Sequence, residues 1–223
     1  MDEDEFLKRS KENLKKILEK EDLLDENLEK AFDKVPREFF FPLESRSNAY
    51  LNNAFEIGFG QTISQPTMIF LMLKKLDLKK HHKVLEIGTG SGYLTALLCE
   101  LSSFVYSIER IKELAQQADK RLKELGYTNY KIFVADGTKG LKEFSPYDRI
   151  IVSASGPKIP KTLVEQLNQN GGILVMPIGG LELQRLTIIR KVGSEIEIKD
   201  DIMCRFVPLI GEEGFDEKIY NDN

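Results

Sequence analysis

Three glycines at alternate positions, Gly88, Gly90 and Gly92, follow the apolar run Val84-Leu85-Glu86-Ile87 and precede a helical pattern. Glycine reaches positive φ without penalty and carries no Cβ, so such a turn lets the backbone come close to a nucleotide-like ligand. The spacing restricts which ligand. A dinucleotide fingerprint is Gly-x-Gly-x-x-Gly, and its third glycine would fall on Tyr93. Here the pattern is Gly-x-Gly-x-Gly, with Glu86 two residues before it. Two further acids fall at the ends of the next strand-like runs. Glu109 ends Phe104-Val105-Tyr106-Ser107-Ile108; a carboxylate there can accept both hydroxyls of a ribose and would repel a 2′-phosphate. Asp136-Gly137 follows the third run and offers a carboxylate and a backbone N–H to a base such as adenine. A single acid of this kind is commonly a turn or cap residue. Three at consecutive strand ends beside a glycine loop point to a ligand site, because open α/β sheets bind ligands at the carboxyl ends of their strands.

A Gly-x-Gly-x-Gly loop behind an acid is the usual look of an S-adenosylmethionine loop, so methyl transfer is the leading chemistry. The other residues agree. His81-His82 precede the first strand, at the end of the sheet opposite the site, and read as solvated linker residues. Without them there is no general base, no Ser/His/Asp set and no His/Cys spacing for a metal, so no metal site is expected. The reaction must need little proton transfer. Enzymes that methylate nitrogen commonly place Asn or Asp, Pro, Pro and an aromatic after the fourth strand; this chain has Ser153-Ala154-Ser155-Gly156-Pro157, which argues against a nitrogen acceptor.

The elements that must position these residues can be read from periodicity. Helices are predicted over 5–20 and 25–34, the latter stopping before Pro36. Residues 36–65 contain Pro36, Pro42, Gly58 and Gly60 and show no long period, which is suspicious in a compact domain unless the stretch is functional. Pro66 suits the first turn of a helix with a stripe of Met68, Ile69, Leu71, Met72 and Leu76. Strands at 83–87, 104–108, 130–134, 148–154 and 172–176 then alternate with helices at 92–101, 111–125 and 160–168. After Pro177 the helices stop, and 183–192 and 195–198 read as strands joined through Gly193-Ser194, with 203–207 a candidate for one more. The fold class is therefore α/β, a doubly wound Rossmann-like, mostly parallel sheet with antiparallel C-terminal strands. One domain is expected over 1–223: N-terminal helices and a substrate or lid segment (1–65), a cofactor-binding core (66–180), and C-terminal strands and tail (181–223).

Composition sets the outer bounds. The 223 residues are 41% hydrophobic and 30% charged, with a net charge of −4. Without a basic excess, nucleic acid is not expected as a partner. The acidic start Asp2-Glu3-Asp4-Glu5 is unlike a signal peptide. The apolar run Met68 to Leu73 is far too short for a bilayer. Cys99 and Cys204 lack Cys-x-x-Cys spacing and read as reduced, buried thiols. A cytoplasmic monomer that does not meet membranes is expected.

The segment Gly58-Phe59-Gly60-Gln61-Thr62-Ile63-Ser64-Gln65-Pro66 resembles the signature upstream of the cofactor loop in protein-L-isoaspartate (D-aspartate) O-methyltransferases. Val35-Pro36-Arg37-Glu38-Phe39-Phe40-Phe41-Pro42, Glu86 to Tyr93, Ser107-Ile108-Glu109-Arg110, Asp136-Gly137-Thr138, Pro146-Tyr147-Asp148-Arg149-Ile150 and Arg205-Phe206-Val207-Pro208-Leu209 resemble it too, in order, over about residues 25–215. Departures are few: residues 1–20 and the tail after Phe215 look individual, and Phe59 stands where the family often has His. The resemblance implies a class I S-adenosylmethionine-dependent methyltransferase that recognises L-isoaspartyl residues in damaged proteins and peptides. It would methylate their free α-carboxylate and release S-adenosyl-L-homocysteine. The ester then closes to a succinimide, part of which hydrolyses to normal aspartate. By the same resemblance Thr62, Ile63, Ser64, Gln65, Glu86, Ile87, Gly88, Thr89, Gly90, Ser91, Gly92, Glu109, Arg110, Asp136 and Gly137 hold the cofactor. Thr62, Ile63, Ser64 and Val207 meet the substrate, and Ser64 is the catalytic residue that positions its carboxylate.

The chemistry is consistent with the missing base. A carboxylate of pKa near 3.9 is already ionised at neutral pH, so the protein has to align it with the methyl group and exclude water. A bland reading of Ser64 also exists, as N-cap of the helix at Pro66. Gly58 and Gly60 could hinge a closing loop. Asn170-Gly171 is the kind of dipeptide most prone to deamidation, which would make the chain a substrate of its own activity. Two alternatives stand beside this reading: a methyltransferase of the same fold acting on a small-molecule carboxylate or hydroxyl, and a non-catalytic cofactor-binding module.

Overall fold

The computed structural model describes residues 2–217. Helix α1 (Glu3–Lys20) opens on Asp2, whose side chain accepts the Glu5 N–H, and carries three acids in its first turn, where the helix dipole favours them. That cap starts the helix earlier than its apolar period does. Helix α2 (Glu26–Lys34) is capped in the same way by Asp25. The stretch without periodicity is not structureless. It forms two 3₁₀ turns, Arg37–Phe40 and Leu43–Asn48, and then a hairpin of β1 (Phe55–Gly58) and β2 (Gln61–Ile63). The hairpin turns through Gly58, Phe59 and Gly60, all at positive φ. Short elements with few buried positions leave no period to read. Helix α3 (Pro66–Leu76) follows, with Pro66 in its first turn.

The alternating part is β3 (Lys83–Ile87), α4 (Tyr93–Leu101), β4 (Phe104–Glu109), α5 (Lys112–Glu124), β5 (Tyr130–Val134), β6 (Arg149–Val152), α6 (Lys161–Glu165) and β7 (Asn170–Gly179); β8 (Gln184–Val192) and β9 (Glu195–Cys204) follow. They build one seven-stranded sheet in the order β5-β4-β3-β6-β7-β8-β9. The pairs among β5, β4, β3, β6 and β7 are parallel; β7-β8 and β8-β9 are antiparallel. The α/β doubly wound expectation holds, antiparallel end included. Strand β9 runs well past residue 198, because this edge strand is exposed on both faces over most of its length and alternation disappears at Lys199-Asp200-Asp201. Helix α6 is shorter than the expected 160–168.

Alternate residues of the central strands feed two cores. Val84, Val105, Ile151 and Val175 pack beneath α1 to α4. Leu85, Ile87, Ile108, Val152 and Met176 pack on the opposite face with Leu163 and Leu167. At about 1.5–3 kcal/mol for each fully buried aliphatic side chain, these faces fix the register and hence which strand ends meet. Cys99 and Cys204 are buried and free, and burial pushes the Cys204 thiol up to about 11. Among the described residues no helix is long and apolar enough to cross a membrane.

The histidine pair departs from expectation. His81 is exposed, but His82 is only 7% exposed, and its Nδ1 accepts the Lys79 N–H at 3.0 Å. That bond closes the turn before β3, which a sequence pattern does not reveal. Burial, aided by the charge on Arg149 and the neighbouring His81, pushes the His82 pKa down to about 4, while Asp148 and Asp77 pull the other way. The unfolded chain therefore takes up a proton near pH 6.5 that the folded chain refuses until about pH 4. His82 contributes stability above pH 6.5 that is lost as the pH falls toward 4. In His82→Asn the fall in melting temperature over that window will be shallower than in the parent chain; equal slopes by calorimetry would show that His82 is not the group responsible.

Candidate active site

Strand β3 ends at Ile87, and the loop that follows is anchored on its neighbour: the Gly88 N–H donates to the Ile108 carbonyl at 2.8 Å. Gly88 itself lies at φ +92, a conformation that side-chain-bearing residues rarely adopt. Glu109, at the end of β4, is 5% exposed. Its Oε2 accepts the Gly90 N–H at 2.9 Å and its Oε1 the Ile111 N–H at 2.9 Å. One carboxylate thus ties the loop to the neighbouring strand end. Each oxygen keeps a further lone pair toward the cleft.

A cleft opens above this loop. Its floor is Ile87, Gly88 and Gly90; Glu109 and Arg110 stand at one end, and Ser153 and Ala154 follow β6 on the other side. Gly137 also faces it, and here space rather than conformation demands glycine: a Cβ would lie 2.4 Å from the Ile87 Cγ2. Gln61 and Thr62 of the hairpin and Val207 to Ile210 of the C-terminal segment complete the walls. A second, smaller cleft adjoins it. It shares Thr62, Gly88, Gly90 and Ser153 and adds Ile63, Ser64, Thr89, Ser91 and Tyr93.

Four of the residues assigned to the cofactor face neither cleft. Glu86 is fully buried behind the loop. It pairs in register with Ser107, so both side chains point to the same face, under α4. Its Oε2 accepts hydrogen bonds from the Thr95 and Ser107 hydroxyls at 2.6 Å each, and Ser107 shares another with Thr89 at 2.5 Å. Its Oε1 has no partner. Burial pushes the Glu86 carboxyl up to about 8; the two hydroxyls oppose that rise and the charge on Glu109 adds to it. Asp136 turns away as well. Its Oδ1 accepts the Thr138 N–H at 2.9 Å and hydroxyl at 2.7 Å, and its Oδ2 the Glu212 N–H at 3.0 Å. Partial burial works against the ionised form, but these bonds hold its pKa below the usual carboxylate value. Gln65 and Gly92 line neither cleft; Gly92 lies at φ +91, and a Cβ there would come within 3.1 Å of Ala118 on α5.

Asp136 belongs to a set of ties that fasten residues 208–217 across the site. Thr138 Oγ1 accepts the Glu213 N–H at 3.2 Å, and the Glu213 carboxylate accepts the Lys161 N–H at 2.7 Å and also bonds the Thr162 hydroxyl. Lys139 pairs with Glu212 at 2.5 Å, and Arg110 pairs with Glu217.

Ser64 is half-buried, and its hydroxyl bonds no partner among the described residues. It is not the N-cap of α3; Gln65 holds that place without a side-chain bond, and Asn52 Oδ1 accepts the Thr67 N–H at 3.2 Å instead. The capping reading was one residue out of register. The Ser64 carbonyl, by contrast, is held. It accepts from Arg37 Nη2 at 2.9 Å, while Arg37 Nε donates to the Ala49 carbonyl at 2.7 Å. Arg37 is fully buried, with its guanidinium carbon 4.7 Å from the Tyr93 ring centre and 5.4 Å from that of Phe41. Burial draws its pKa down to about 10, against Tyr93 and Tyr50. Sequence reasoning assigned Arg37 no role; the available signal was a lone cation between Pro36 and three phenylalanines.

Comparison with known proteins gives a consistent result. Residues 8–214 match the model of a family described as protein-L-isoaspartate(D-aspartate) O-methyltransferase (PCMT). A protein-L-isoaspartate O-methyltransferase of Dictyoglomus turgidum is 50% identical over 208 residues, 93% of this chain and 94% of that protein. One of Methanopyrus kandleri is 43% identical over 222 residues, 97% of this chain and 98% of that protein. Among solved structures, a protein-L-isoaspartate O-methyltransferase superposes with a TM-score of 0.81 at 30% identity, over 92% of this chain and 67% of that one. A Plasmodium falciparum chain solved in complex with S-adenosyl-L-homocysteine superposes with a TM-score of 0.77 at 27% identity, over 89% of this chain and 97% of that one.

Proposed function

Since the chain belongs to the protein-L-isoaspartate(D-aspartate) O-methyltransferase family, we propose the following assignment of its site to that family's reaction. The enzyme is an S-adenosylmethionine-dependent protein carboxyl methyltransferase, which transfers a methyl group to the α-carboxylate of L-isoaspartyl residues. The larger cleft suits the cofactor: Glu109 offers its remaining lone pairs to the ribose, the backbone of Gly88 and Gly90 admits close approach, and Gly137 clears the base. When bound, S-adenosylmethionine supplies an electrophilic methyl on sulfonium sulfur. Ser64 donates its hydroxyl to the acceptor carboxylate, Thr62 and Ile63 line its path, and Val207 flanks the peptide. No residue has to remove a proton, since the acceptor is ionised at neutral pH. The walls keep water away, so the carboxylate is the nucleophile that reaches the methyl group.

One observation carries this reading. Ser64, whose hydroxyl bonds no other described residue, lines a cleft that shares Thr62, Gly88, Gly90 and Ser153 with the cleft holding Glu109, so acceptor and donor groups would meet over one loop. The decisive experiment is methyl transfer from labelled S-adenosylmethionine to two peptides differing only in L-isoaspartate or L-aspartate at one position. Base-labile label on the isoaspartyl peptide alone is expected. Label on neither peptide, with cofactor still bound, would transfer the assignment to a small-molecule acceptor. Ser64→Ala removes one hydrogen bond to a charged group, worth about 1.5–3 kcal/mol. The expected result is a fall in kcat/KM for the isoaspartyl peptide of about 10- to 100-fold, with the melting temperature unchanged because the hydroxyl bonds nothing in the fold. Full activity in that variant would remove Ser64 from the mechanism.

The three segments 1–65, 66–180 and 181–223 are read as one domain, a view supported by the core that α1 and α2 share with the sheet and by β8 and β9 extending it. A cytoplasmic location is supported by two buried free cysteines.

A further inference from the structure

We propose that Asn170-Gly171 is a damage site within this chain and that its L-isoaspartyl form is methylated by a second copy of the enzyme. The inference rests on the activity assigned above. In the first step the Gly171 backbone nitrogen attacks the Asn170 side-chain carbonyl carbon, ammonia leaves, and a five-membered succinimide closes. Water then opens the ring at either carbonyl. Opening at the backbone carbonyl leaves residue 170 linked through its side chain, with a free α-carboxylate. That carboxylate oxygen takes the methyl group from S-adenosylmethionine as the carbon–sulfur bond breaks, giving a methyl ester and S-adenosylhomocysteine. Re-closure of the ring expels methanol.

Two aspartyl-type residues in the chain precede glycine, Asp136 and Asn170, and the fold treats them oppositely. At Asp136 both carboxylate oxygens are engaged, by Thr138 and by the Glu212 N–H, and Gly137 is buried. The side chain cannot turn toward the next nitrogen without breaking those bonds. At Asn170 nothing holds the side-chain amide among the described residues; the one bond made by a side chain there runs from Asn168 Oδ1 to the Asn170 N–H, at 3.0 Å. Asn170 and Gly171 are both exposed. The ladder between β7 and β8 pairs Asn170 with Val192 and then Gly172 with Lys191, so Gly171 is the extra residue of a β-bulge and has no partner across the ladder. It lies at φ +88, with nothing within 4 Å of where a Cβ would stand. Ring closure requires room around this peptide, and the exposed bulge provides it on the Asn170 side; the Gly171 carbonyl accepts from Arg149 Nη1 at 3.2 Å.

Geometry also requires a second molecule. Asn170 begins β7, at the amino end of the parallel strands, whereas the cleft lies at their carboxyl ends beyond Ile87 and Glu109. A chain cannot bring its own residue 170 to its own Ser64.

The test uses the full chain aged at mildly alkaline pH. Peptide mapping that separates isoaspartate from aspartate is expected to find isoaspartate at 170 and none at 136; its absence at 170 overturns the proposal. Aged Glu109→Ala chain, which binds the methyl donor weakly, then serves as acceptor for fresh parent enzyme and labelled S-adenosylmethionine, with an isoaspartyl peptide in the same tube. Base-labile label in the peptide containing residue 170, dependent on added fresh enzyme, is the expected result, with loss of that label in an acceptor that also carries Asn170→Ala. Label that appears without fresh enzyme, in an amount per chain that does not change on dilution, overturns transfer between molecules. A labelled peptide beside an unlabelled aged chain overturns the repair of residue 170. If the peptide is unlabelled too, it is the assigned activity that fails, and repair of residue 170 falls with it.

Discussion

Glu109→Ala will weaken S-adenosylmethionine binding by about 100-fold or more. In the folded chain this carboxylate accepts N–H bonds from both Gly90 and Ile111. Hydrogen bonds to a charged group contribute about 1.5–3 kcal/mol each, and alanine leaves both donors without a partner in a part-buried position. The loop loses its tie to β4 and the ribose loses its acceptor together. A loss of about 3 kcal/mol already corresponds to roughly 100-fold in affinity. Glu109→Gln keeps the shape and one acceptor but not the charge, so it belongs in between, at about 10-fold by the same scale. Titration calorimetry with the cofactor and with S-adenosylhomocysteine measures both variants. Parent-like affinity in the alanine variant would mean that the cofactor does not use this end of the cleft.

Arg37→Ala will cost about 3–5 kcal/mol of stability and lower methyl transfer at temperatures where the variant is still folded. Two opposing effects meet at this residue. A buried guanidinium is expensive, the more so because its Nη1 has no partner, and replacing a buried ion by an apolar side chain of similar size is often neutral or better. Against that, alanine empties the space between the Tyr93 and Phe41 rings and orphans the Ala49 and Ser64 carbonyls. The cavity and the two carbonyls left without a donor together outweigh the relieved charge. Arg37→Met separates the terms, since it fills the space without donating; about 1–2 kcal/mol is expected for it. Both variants lose the anchor of Ser64, so both should show a fall in kcat/KM of about 10-fold while cofactor affinity stays near that of the parent. Melting curves and steady-state kinetics check the two halves. If activity tracks stability alone, Arg37 holds the fold and not the serine.

The parallel core was legible because β3, β4, β6 and β7 are mostly buried, and a buried parallel strand announces itself as an apolar run. Segment 36–65 was not, since a 3₁₀ turn or a three-residue strand has no period to detect. The histidines failed for a related reason: a hydrogen bond from Lys79 to His82 leaves no trace in hydropathy. Within the site, the rule that ligands lie at strand ends picks out Glu109, the glycine loop and Gly137, and Glu109, Gly88, Gly90 and Gly137 line one cleft. It does not say which way a side chain turns there. Glu86 shares its register position with Ser107 and points under α4, and Asp136 turns to the Glu212 N–H. Gly137, which needs no direction, is the member of that pair that faces the cleft.

The seat of the glycine loop has a consequence on the scale of time. The loop springs from β3, which is paired along its length by β4 and β6 and buried after its first residue. Amides there exchange with solvent only when the whole sheet opens, while the hairpin of 55–63 is a separate two-stranded sheet and residues 208–217 are tied largely through side chains, so both open far more cheaply. Deuterium should therefore enter the walls of the cleft within the early part of an exchange experiment and the floor last of all. A site with a slow floor and fast walls can admit a damaged segment of another protein by parting its sides, without disturbing the surface against which the methyl group is aligned.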